Sequence, residues 1–175
     1  MHYNQSASPY MNNLLPLRPE LKSSIAISLE NVTTRYLDVH RNLFKFSFRR
    51  ILPISGLFKK IDYQNLLVEL QDIKLHIILE LSRLEKTFLG TVDVITEYDK
   101  DFLSVSLNYA KKIMEAIVCL IGITEKLQQK TLGDKTYTRQ QYQTEVDSWE
   151  RLDKEIASLY DQMAKAYNPN VYGKK

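Results

Sequence analysis

Apolar side chains recur along this chain in alternating steps of three and four residues, the spacing that places them on one face of an α-helix. No proline occurs between Ile54 and Asn168. Because proline removes an amide that a helix interior needs, an uninterrupted stretch of this length predicts long helices packed side by side. No segment of the chain shows a pattern that predicts a β-strand.

Four helices are predicted, at about residues 23–50, 62–97, 101–131 and 138–168. The serines at positions 23 and 24 can cap the first helix, and Asp62 can cap the second. Thr138 and Gln141 form a capping-box pattern for the fourth. Helices of this length with near-heptad spacing predict an all-α fold, an antiparallel up-down-up-down four-helix bundle.

The connections and the ends of the chain complete this fold prediction. The polar run at 97–101 is predicted to be the turn between the second and third helices. In the third helix the apolar face is so wide that this helix is predicted to be the most buried. Residues 1–21 are predicted to be an irregular N-terminal arm, 22–168 the bundle, and 169–175 a C-terminal tail. Four leucines could dock the arm on the bundle, a free tail being the alternative: Leu14, Leu15, Leu17 and Leu21.

Composition places the chain among globular proteins, with 44% hydrophobic and 26% charged residues. The net charge of +3 is too small to indicate a nucleic-acid partner. Cys119 is the single cysteine, lies in the most apolar run, and is predicted to be buried and inert. The chain shows neither a secretory signal nor a membrane-spanning stretch, so a cytoplasmic location is predicted.

Cofactor and metal sites are not predicted. Glycine-rich phosphate loops are absent, and a single cysteine excludes the cysteine–histidine zinc sites. The chain lacks the Glu-x-x-His pairs that di-iron bundles require. Asp72, His76 and Glu80 follow at steps of four, and His40 could lie at a similar level, so these carboxylates and imidazoles could hold a divalent ion. We interpret them instead as a solvated helix face.

One short motif resembles a known enzyme family. Arg35 and His40 have the R-x4-H spacing of HEPN-type ribonucleases, small helical proteins that cut RNA with an arginine and a histidine. The resemblance covers two residues and implies, as one alternative, a ribonuclease or toxin that uses this pair. The residue after the arginine is usually small and polar in that family, whereas Tyr36 follows here and fits the apolar stripe.

Residues 41–60, which we call the basic-aromatic tip, contain six basic residues and no acidic one. Phenylalanines are interleaved with the basic residues, and cations beside apolar rings suit an acidic protein groove or an anionic membrane surface. A solvated turn whose rings cap the bundle is the alternative without a function. The candidate binding residues are Arg41, Phe44, Lys45, Phe48, Arg49, Arg50, Phe58, Lys59 and Lys60.

These patterns together predict a non-catalytic interaction module, an adaptor or regulator that docks an acidic protein through the basic-aromatic tip. Peripheral binding to anionic membranes through the same tip is an alternative prediction. Nucleic acid is disfavoured because the rings are phenylalanines mixed with aliphatic residues at one end of the bundle. A homodimer is also compatible with the sequence, because the apolar face of the third helix is wider than three neighbours need.

Overall fold

The computed structural model describes residues 14–44 and 61–168. Its four helices are α1 (Pro19–Phe44), α2 (Tyr63–Thr91), α3 (Glu97–Thr131) and α4 (Arg139–Tyr167). Within the described residues there is no strand, only one isolated β-bridge between Leu15 and Ile95. The predicted all-α architecture of four long helices is therefore confirmed.

Side-chain contacts give the direction of each helix relative to the next. Ser24 contacts Arg83 while Arg35 contacts Asp72, so residue numbers rise along α1 as they fall along α2. The same relation holds for α2 with α3 and for α3 with α4, through the pairs Gln64–Gln128, Glu85–Lys111, Lys126–Glu145 and Lys112–Glu155. The helices therefore run up-down-up-down.

The third helix is the centre of the core. Fourteen residues of α3 are buried, against six in α1, six in α2 and three in α4. Its large buried side chains include Phe102, Ile113 and Leu120, none of which is exposed to solvent. The prediction that the third helix is the most buried one is confirmed.

Two helix ends differ from the prediction. The prediction of a turn at 97–101 was wrong, because these residues form the first turn of α3. The hydroxyl of Thr96 accepts a hydrogen bond from the Asp99 amide at 3.3 Å, and acidic residues are favoured at a helix N-terminus by the helix dipole. The helix α2 already ends at Thr91, so the connection lies between 92 and 96.

At the other boundary, α1 begins at Pro19 rather than at residue 23, since a proline in the first turn has no amide that needs a partner. The residues before it dock on the bundle. The Leu15 amide donates to the Val94 carbonyl at 2.8 Å, and Leu17 is buried in the core. Residues 14–18 of the arm therefore dock on the bundle, which is the first of the two predicted alternatives.

A buried carboxylate joins this arm to the bundle. The Asp99 side chain accepts hydrogen bonds from the Leu17 amide at 2.9 Å, the Thr96 hydroxyl at 2.8 Å and the Lys22 ammonium at 3.1 Å. Lys22 also donates to the Ala166 carbonyl at 3.3 Å. Burial alone would raise the pKa of Asp99, but the three donors outweigh it and hold the pKa below its ordinary value. The arm, α1, α3 and the end of α4 therefore meet at the ion pair of Lys22 with Asp99.

We expect Asp99→Asn to lower the free energy of unfolding by about 3 kcal/mol, because it leaves Lys22 without its counter-charge in a mostly buried position. The exposed Asp101→Asn on the same helix is the control, with a change within about 0.5 kcal/mol. Because the pKa of Asp99 is lowered in the folded state, ionised Asp99 stabilises the fold above about pH 4. This stabilisation is lost as the pH falls through the folded-state pKa. Urea denaturation from neutral to acid pH measures both effects; equal losses in the two variants would contradict this role.

A second prediction concerns Ser106, which is fully buried on α3 and whose hydroxyl finds no hydrogen-bond partner within the described structure. Because an unpaired buried hydroxyl is unfavourable, Ser106→Ala should raise the free energy of unfolding by about 1 kcal/mol. The control is Thr124→Val, since the Thr124 hydroxyl is buried on the same helix but donates to the Leu120 carbonyl at 2.6 Å. Thr124→Val should lower the free energy of unfolding; a larger loss in Ser106→Ala would contradict the argument.

Candidate functional site

Antiparallel packing brings three parts of the chain to one end of the bundle, which we call the basic end. It contains the last turn of α1, the first turn of α2 and the α3–α4 connection at 132–138. Phe44 at the end of α1 stacks on Trp149 in the third turn of α4, with ring centroids 4.7 Å apart. Gln128 near the end of α3 donates to Gln64 at the start of α2 at 2.9 Å. The basic-aromatic tip joins two of these parts in sequence, because it links α1 to α2.

An aromatic stack lies at the end of α1, where the basic-aromatic tip begins. Trp149 is buried, and His40 and Phe44 both pack against it, the His40 ring centroid at 4.3 Å. Phe44 is partly buried and packs on the core. Phe44, the residue before 45–60, is therefore held in place by its contact with Trp149 of α4.

A hydrogen-bond chain fixes Trp149 beneath this stack. Its indole Nε1 donates to the Tyr36 hydroxyl at 2.9 Å, and that hydroxyl donates to Asp153 at 3.3 Å. Burial, together with the Asp153 carboxylate, raises the pKa of Tyr36 far above its ordinary value. Tyr36 therefore stays a neutral hydroxyl that can accept from one partner and donate to the other.

The α3–α4 connection adds cations to the same end. Gly133 makes the turn possible with a φ of 106°, a left-handed conformation that favours glycine. The Tyr137 side chain is buried, and its hydroxyl donates to Glu145 at 2.7 Å while its carbonyl accepts from Lys130 at 2.8 Å. Lys135 and Arg139 are exposed on either side of it.

Carboxylates are interspersed with these cations. Arg41 pairs with Asp38 at 3.2 Å on the exposed side of α1. Asp62 caps α2 by accepting from the Asn65 amide at 3.0 Å, and Asp134 accepts from the Thr136 amide at 2.7 Å. The described part of the basic end thus presents both signs of charge.

Two of the nine predicted binding residues, Arg41 and Phe44, lie in the described structure, both at the basic end. The other seven lie outside the described residues: Lys45, Phe48, Arg49, Arg50, Phe58, Lys59 and Lys60. The sequence analysis missed Lys135 and Arg139. Two antiparallel helices, α2 and α3, separate these residues from the tip in the sequence. Because such a pair returns the chain to the end where it started, the predicted bundle could have indicated them.

The two residues that resemble the ribonuclease motif have different surroundings. Arg35 donates to His76 at 2.8 Å and to Asp72 at 2.7 Å, both on α2. His40 stacks instead on Trp149 of α4. The structure does not bring Arg35 and His40 to one site.

The residues considered as metal ligands in the sequence likewise contact different partners. Asp72 and His76 contact Arg35, whereas Glu80 pairs with Arg83 at 2.8 Å. The hydrogen bond from Arg35 lowers the pKa of Asp72. Across residues 14–44 and 61–168 no group of three or more His, Cys, Asp or Glu side chains is arranged to hold a metal ion.

Comparison with protein-family models, with curated proteins and with solved structures found no match to this chain. None of the helices in the described ranges combines the length and the apolar content that crossing a membrane requires.

The aromatic stack predicts a pH-dependent stability. Burial lowers the pKa of His40, with the nearby Asp153 opposing the shift and Arg41 adding to it. The folded state therefore binds fewer protons than the unfolded state as the pH falls below about 6.5, and the free energy of unfolding decreases in that range. We expect His40→Gln to flatten this decrease in urea denaturation between about pH 7.5 and about pH 5. Equal slopes in the two proteins would contradict a neutral, stacked His40.

Proposed function

We propose that this protein is a non-catalytic cytoplasmic interaction module that docks an acidic protein partner at its basic end. One observation carries the proposal. Residues 41–60 carry six positive charges, while the other 18 basic and all 21 acidic residues leave the rest of the chain at −3. Such segregation of charge creates a field that attracts an acidic surface and orients it toward one end of the molecule.

The mechanism has a steering part and an anchoring part. The cations raise the rate of encounter with an acidic surface, and apolar rings then hold the partner once water is displaced. Phe44 is partly buried against Trp149, so Phe48 and Phe58 are the proposed anchors. The steering residues are Arg41, Lys45, Arg49, Arg50, Lys59 and Lys60, supplemented by Lys135 and Arg139.

The carboxylates at the basic end favour a protein over a membrane as the partner. A leaflet rich in anionic lipid repels Asp38 and Asp134 as it attracts the neighbouring cations. A folded protein or a peptide can place a donor opposite each carboxylate and an acidic group opposite each cation. The single cysteine, without a disulfide partner in the chain, supports the cytoplasmic location.

The proposal predicts binding of an amphipathic peptide of alternating Glu and Leu residues, measured by fluorescence anisotropy at low and physiological salt. Reversal of four tip cations to Glu, at Arg49, Arg50, Lys59 and Lys60, should weaken this binding at least about tenfold, because it inverts the attraction. The control reverses four exposed cations that lie away from the tip and should change binding less than about twofold: Arg18, Lys111, Lys154 and Lys165. Both variants change the net charge equally, and circular dichroism checks that both remain helical.

The other outcomes decide between the alternatives. Polyglutamate without apolar residues should bind more weakly than the amphipathic peptide, since the anchors then have nothing to contact. Flotation with anionic vesicles in the absence of peptide binding would favour the membrane alternative. Equal binding by the two charge-reversed variants would overturn the proposed site.

A further inference from the structure

The outer side of α2 carries apolar residues that the core does not use. Val68, Leu75 and Leu79 are 59%, 61% and 66% exposed, and each lies two positions from a buried residue of the same helix. Two positions along an α-helix are about 200° apart, so these side chains point away from the core. Five of the 14 exposed large hydrophobic residues of the described chain lie on α2: Val68, Leu75, Ile78, Leu79 and Leu89.

Neighbouring helices extend this surface. The contacts of Ser24 with Arg83 and of Arg35 with Asp72 place Ile27, which is 54% exposed, beside the level of Leu79. On the other side, Val118 is 48% exposed on α3 near the level of Ile78. We call these five residues, Ile27, Leu75, Ile78, Leu79 and Val118, the apolar band. The apolar band crosses three helices on one side of the bundle. A helix with apolar residues on two opposite sides usually packs against a neighbour on each of those sides.

Salt bridges border the band and leave a defined pattern of charge. Arg35 with Asp72 lies toward α1, and Glu85 with Lys111 lies toward α3. Along the outer face of α2 the acidic Asp72 precedes Leu75, whereas the basic Arg83 and Lys86 follow Leu79. Asp72 pairs with Arg35 and Arg83 with Glu80 within one copy, whereas Lys86 has no ion pair within the described residues. A reversed copy of this face therefore brings the Lys86 cation to the half-exposed Asp72 carboxylate.

We infer that the apolar band binds a second copy of this chain, with the two α2 helices antiparallel about a two-fold axis near residue 77. In this arrangement Leu75 of each copy lies opposite Leu79 of the other. Asp72 then lies within about one turn of Lys86 of the partner copy, so this half-exposed carboxylate attracts a cation that has no ion pair in the described part of its own copy. The arrangement also places the two basic-aromatic tips at opposite ends of the dimer, whereas a parallel pair would bring twelve positive charges together.

The first test is the oligomeric state by sedimentation equilibrium between about 1 and about 200 μM protein. The wild type should dimerise, and the double variant Leu75→Glu, Leu79→Glu should be monomeric with unchanged helical circular dichroism. The control introduces two glutamates at exposed apolar positions outside the band, Val94→Glu and Leu132→Glu, and should remain dimeric. A wild type that is monomeric throughout, or a dimer that survives Leu75→Glu, Leu79→Glu, would overturn the inference.

The second test is the direction of pairing, by disulfide cross-linking in a Cys119→Ala background. Positions 68 and 86 of opposite copies lie at one level in the antiparallel pair, so mixing Val68→Cys with Lys86→Cys should give a mixed disulfide. Val68→Cys alone should not cross-link, since its two cysteines are about 27 Å apart along the helix axes. Efficient cross-linking of Val68→Cys alone would overturn the antiparallel geometry. Binding of the acidic peptide by the Leu75→Glu, Leu79→Glu variant is expected to persist, because this inference does not rest on the basic end.

Discussion

Burial of α3 along its whole length is the constraint on which the rest of the structure depends. This helix has buried side chains on several sides, from Phe102 in its first turns to Leu127 near its end. A helix of that kind is stable only when other helices cover it, so α2 and α4 each pack along it antiparallel and α1 closes the bundle. Because the chain must return after each helix, the same packing brings the α1–α2 and α3–α4 connections to one end.

Much of this core could be predicted from local spacing, because burial of a helix face follows from the recurrence of apolar residues every three or four positions. The stripe from Ile25 to Leu43 is buried throughout, and the capping box at Thr138 is present. The polar run at 97–101 could not be predicted in the same way. Asp99 is buried because it accepts hydrogen bonds from Leu17 and Lys22, about 80 residues away, and no local pattern encodes those partners.

The candidate site divides along the same line. The charge of residues 41–60 is a local property and could be counted in the sequence, whereas the stack of Phe44 on Trp149 joins residues more than 100 positions apart. The apolar band was missed for a different reason. Leu75 and Leu79 lie on the side of α2 opposite its buried residues, and local spacing does not show whether another helix covers that side. The sequence analysis assigned the surplus apolar surface to α3, although α3 is covered and α2 is not.

The two proposed surfaces are independent because one lies at an end of the bundle and the other on its side. A dimer through the apolar band leaves both basic ends accessible, separated by roughly the 40 Å length of α2. Two weak sites held at a fixed separation bind a partner with two acidic segments far more tightly than either site alone, provided that the partner spans that distance. Pairing of α2 would therefore turn a weak, salt-sensitive contact into a selective one, because a partner with a single acidic segment gains nothing from the second end.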